Sequence, residues 1–66
     1  MTMRDHQEVR RAIVAPAVET FNEGAAMWDE FADAARDRGD VAHEASYRES
    51  ARRSRERAAG LLALAG

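Results

Sequence analysis

The sequence predicts an all-α fold: an antiparallel helical hairpin with a short N-terminal helix, dimerising into a four-helix bundle. Three observations carry that expectation. Apolar and small residues recur at alternating spacings of four and three from Val14 to Ala35 and again from Tyr47 to Ala65, the heptad rhythm that holds one seam on one side of a helix. Between the two runs stands Arg38-Gly39-Asp40, where glycine can close a helix in the left-handed conformation and aspartate can cap the next. A chain of 66 residues with no cysteine buries only about 60% of the surface its unfolded form exposes, so self-association is the remaining way to enlarge its core.

The chain reads as one domain over 1–66. Asp5 followed by Glu8, with Val9, Ala12 and Ile13 at helical spacing, predicts a short helix over 5–14. Pro16 lacks a backbone donor and disfavours helix at Ala15, so it either kinks one long helix or sits in the first turn of a new one; the second reading is favoured, with 1–15 as a separate short helix or arm.

The first long helix, 16–38, carries two apolar rows. Val14, Val18, Phe21, Ala25, Trp28, Ala32 and Ala35 form a seam, and Ile13, Ala17, Thr20, Gly24, Met27, Phe31 and Ala34 run beside it. One partner helix cannot cover a stripe that wide. Ile13, Ala17, Phe21, Gly24, Met27, Trp28 and Phe31, with Leu62 from the second helix, are therefore the expected protein interface.

The second long helix, 40–65, repeats the seam in Tyr47, Ala51, Ser54, Ala58, Leu61 and Ala65. A turn centred near Gly39 sets Ala32 across from Tyr47, Trp28 from Ala51, Phe21 from Ala58 and Val18 from Leu61, so large residues tend to meet small ones. The expected core is Val14, Val18, Phe21, Ala25, Trp28, Phe31, Ala32, Tyr47, Ala51, Ala58, Leu61 and Leu62, with Met27 and Ile13 between subunits. Charge supports the pairing: 17–38 holds six acids against two arginines, net −4, and 40–66 holds four against five, net +1. Arg48 and Arg52 are expected opposite Asp33 and Asp29, with Glu44 to Arg48 and Glu49 to Arg53 as pairs within the second helix.

Most catalytic and binding classes find no support in the residues. The formal charge of −2 is too small for bulk attraction to nucleic acid. The polar N-terminus lacks the apolar core of a signal peptide, and Leu61 to Ala65 is far shorter than the roughly 20 residues that cross a bilayer. A cytoplasmic location without membrane contact is expected. Asp40-x-x-His43, with Asp37 or Glu44, is the only cluster with metal-ligand spacing, and it is far from the fuller sets of carboxylate-bridged bundles. Ser46, Ser50 and Ser54 have no base beside them. No enzyme activity, cofactor, metal or small-molecule substrate is expected.

Arg38-Gly39-Asp40 spells a tripeptide that some adhesion proteins present to receptors, but its helix-ending and capping roles account for it. The segment from Arg48 to Arg57 is the densest in arginine. Glu49 and Glu56 interrupt it, and its charge spreads around the helix. Trp28, Phe31, Ala32, Gly39, Asp40 and Ala51 resemble parts of a tetratricopeptide-type helix pair. Glu44 and Arg48 stand where that repeat expects a small residue and an aromatic, and one unit is not stable alone, so the hairpin geometry is kept and the family is not adopted. The expected function is a non-enzymatic interaction or self-assembly module, a small adaptor or regulator working as a homodimer or on a larger protein. The alternative is a small nucleic-acid-associated regulator with phosphate contacts from Arg53, Arg55 and Arg57.

Overall fold

A computed structural model describes residues 3–66 and shows two helices in contact, with no strand among the described residues: α1 spans Met3–Asp37 and α2 spans Val41–Ala65. The turn between them follows from its chemistry. Gly39 adopts φ 76°. The Asp40 amide then donates to Ala35 O at 2.8 Å and the Gly39 amide to Arg36 O at 3.0 Å, the paired bonds that satisfy the last carbonyls of a helix closed by a left-handed residue. Asp40 caps α2 by accepting from the His43 amide at 3.1 Å.

The separate N-terminal helix is corrected: α1 runs unbroken through Pro16. Residues 5–14 are its first turns, and only the first two positions of the proposed arm lie outside the described residues. Proline costs a helix its bond to the carbonyl four residues back, here that of Ala12. Tertiary packing outweighs that loss, because the seam residues Val14 and Val18 straddle Pro16 at the level where Leu61 and Ala65 of α2 arrive. The Thr20 hydroxyl also donates to the Pro16 carbonyl at 2.9 Å.

The seam is narrow and made mostly of alanine. Val18, Ala25, Ala32, Ala35, Ala51, Ala58 and Ala65 are buried, and Val14, Phe21, Trp28, Tyr47, Ser54 and Leu61 are half-buried. Two expected core residues are corrected, because Phe31 is 44% exposed and Leu62 52%. Both stand beside the seam rather than on it. Alanine brings the helices close, and the aromatic rings gather at the turn end: Trp28 stacks on Tyr47 at 5.8 Å and meets Phe31 edge-on at the same distance, while Phe31 lies 5.6 Å from Tyr47.

The hairpin is long and thin, 56 × 13 × 9 Å, with a radius of gyration of 15.8 Å against about 11 Å for a compact chain of this length. Its accessible surface is 4887 Å², where a compact monomer of 7.3 kDa would expose about 4,200 Å². No helix among the described residues is long and apolar enough to cross a membrane.

Candidate protein interface

Heptad positions divide the hairpin into two faces. With Val18, Ala25, Ala32, Ala51, Ala58 and Ala65 at a and Phe21, Trp28, Ala35, Tyr47, Ser54 and Leu61 at d, positions e and b of both helices fall on one side of the seam and g and c on the other.

Ion pairs close the e and b side. Arg48 reaches Asp33 at 3.1 Å, Glu44 at 3.2 Å and Asp29 at 4.0 Å, and Arg55 closes on Asp29 from two turns further along. The hydrogen bond from Arg55, opposed by desolvation and aided by the charges of Arg55 and Arg48, holds the Asp29 carboxyl below its ordinary value. The expected Arg52–Asp29 pair is corrected, since Arg52 instead links Glu49 and Glu56 along α2. That engagement raises Arg52 above its ordinary value, with the Glu49 hydrogen bond as the largest cause, and it occupies the Glu49 expected to meet Arg53.

The g and c side is open. Ile13 is 71% exposed, Met27 43% and Phe31 44%, while Ala17 and Gly24 between them are half-buried. Two shallow grooves lie where this row adjoins the seam. One, of about 290 Å³, is lined by Phe21, Trp28, Ser50, Arg53, Ser54 and Arg57; the other, of about 340 Å³, by Phe21, Arg57, Gly60, Leu61 and Leu64. The Arg57 guanidinium sits 6.0 Å above the Phe21 ring between them.

Seven of the eight expected interface residues are brought together here: Ile13, Ala17, Gly24, Met27 and Phe31 in the row, with Phe21 and Trp28 flooring the grooves. Leu62 is not among them. It follows Arg48 and Arg55 at intervals of seven and shares their face. Leu64 takes its place, lining a groove seven residues after Arg57, and that interval was the signal in the sequence that could have found it.

The arginine triplet is split between faces. Arg55 is held by Asp29, whereas Arg53 and Arg57 border the open grooves. The two residues with metal-ligand spacing face each other, His43 Nδ1 standing 2.7 Å from Asp40 Oδ2. The cap bond from the His43 amide is the first cause that lowers Asp40 below its ordinary value. No group of three potential metal ligands forms among the described residues. No family model, curated protein or solved structure matches the chain.

Proposed function

We propose that the chain is a non-enzymatic protein-interaction or self-assembly module, a small adaptor or regulator, working through the open face. The supporting observation is an exposed apolar row on α1, Ile13, Met27 and Phe31, that adjoins two grooves while the opposite face is closed by ion pairs. Met27 and Phe31 stand about one turn apart beside the grooves, and clustered exposed apolar groups of this kind support a contact site. Light scattering behind a sizing column, at two protein concentrations, tests the reading. The expected mass is a multiple of 7.3 kDa that falls to one chain when Met27 and Phe31 are both changed to Gln with helicity retained. An unchanged mass in that variant would show that the open face makes no contact.

The nucleic-acid alternative rests on Arg53 and Arg57, which border the open groove. Changing Arg53, Arg55 and Arg57 to Gln removes it if retention on DNA or RNA is unaltered.

A further inference from the structure

Resting on that reading, we infer that the open face takes an amphipathic helix of another protein, with carboxylates along one flank, laid in the trough between α1 and α2 as the third helix of a bundle. Charge sets the sign of the occupant. From Arg10 to Ala34 and from His43 to Leu64 the g and c positions of both helices hold no aspartate or glutamate, although the chain carries 12 acidic residues against 10 basic ones. Arg10, Arg53 and Arg57 stand there instead. Among the described residues no carboxylate lies within ion-pair distance of Arg53 or Arg57, and the acids adjoining them along α2, Glu49 and Glu56, are both held by Arg52. Arg57 rests 6.0 Å from the centroid of the Phe21 ring, a contact that does not neutralise it.

Relief favours a helix over a flat surface. Ala17 and Gly24 of α1 and Ser50 and Ser54 of α2 are half-buried along the middle of the trough, and a Cβ placed on Gly24 would meet nothing within 4 Å. Small groups there let the backbone of a further helix come close. Met27 and Phe31 stand exposed beside them on α1 and Leu64 at the far end of α2, apolar side chains that a partner's own apolar stripe can cover. A nucleic acid presents phosphate and sugar to such groups, and a bilayer surface does not follow the recess between them.

The acids of the occupant belong on its α2 side. Glu23 and Glu30 occupy the f position of α1, just outside Met27, and would repel carboxylates placed on that flank. Arg53 and Arg57 lie one turn apart on α2, about 6 Å along its axis, the interval between carboxylates three or four residues apart on one helix face.

Trp28 is the one tryptophan of the chain and lines the groove, so its emission reports occupancy. The probe is a synthetic helix of about 18 residues without tryptophan, with leucine at heptad a and d, glutamate along one flank and glutamine elsewhere. It is titrated into the full chain below the concentration at which light scattering shows self-association, because both contacts use the same face. The Trp28 emission should shift, and a helix with lysine in place of the glutamates should bind at least about tenfold more weakly. Arg53→Gln with Arg57→Gln should abolish that difference. Gly24→Gln should raise the melting temperature, since glycine disfavours helix, yet weaken the acidic probe at least about tenfold by filling the trough, a combination that loss of fold cannot produce. Equal binding of the lysine-flanked helix, or tighter binding to phosphatidylglycerol vesicles or to a DNA duplex, overturns the acidic helix as occupant. So does an emission that no probe moves. The mass of the Met27 and Phe31 variant decides separately whether the open face makes contacts at all.

Discussion

The two faces of the hairpin are built from the same helices and differ in what each leaves unfinished. On the e and b side four long charged side chains beside the seam find opposite charges across it: Asp29 and Asp33 from α1, Arg48 and Arg55 from α2. On the g and c side Arg53 and Arg57 border the grooves and exposed apolar groups stand beside them. A solvated ion-pair face contributes little to stability but sets register, because the wrong pairing would bring like charges together. An apolar face left in water contributes nothing until it is covered. The comparison therefore separates the surface that sets the register of the hairpin from the one that has no cover within the chain.

The largest expected effect comes from Trp28→Ala, which removes the ring that stacks on Tyr47 and floors the open groove. It should cost about 3 kcal/mol, a large share of the roughly 3–10 kcal/mol available to a chain of this size, and a urea melt should show the midpoint fall sharply. Ala51→Leu attacks the alanine seam that both faces share. Forcing the helices apart there should cost about 2 kcal/mol, read in the same melt.

Acid separates the faces next. Because the Asp29 carboxyl lies below its ordinary value when folded, its contribution is present above the unfolded value near 3.9 and is lost as pH falls through the lower folded one. The melting temperature should hold steady from about pH 7 to 5 and drop below about pH 4, and Asp29→Asn should lessen that drop. The smallest effect is expected from Leu62→Gln: if Leu62 belongs to the closed face, the solution mass should not change, whereas Phe31→Gln should lower it.

The seam was legible in full, since every residue from Val14 to Ala35 and from Tyr47 to Ala65 at the alternating spacing is buried or half-buried. Helical geometry alone fixes that periodicity. The turn was legible for a similar reason, because the conformation of Gly39 and the cap from Asp40 are properties of adjacent residues. What escaped depends on choices between distant groups. Local preference at Pro16 argues for a break, and only the packing of α2 beside Val14 and Val18 overrides it. Arg52 and Arg55 each have several carboxylates within reach, and which one takes Asp29 follows from the rotation of α2 about its own axis. Spacing marks Phe31 as apolar and cannot say that its row lacks a cover within the chain.

The close turn also governs the order in which the fold is reached. Phe31 and Tyr47 meet across a short loop, whereas Gln7 and Gly66, joined at the far end, are 59 residues apart. Loop-closure entropy makes the distant contact about 1 kcal/mol harder to form first, so the chain zips from the aromatic end outward, with nearly all of its contacts local to that progress. The first turns of α1, where Gln7 meets Gly66, are then the last to find neighbours, following the hairpin rather than directing it.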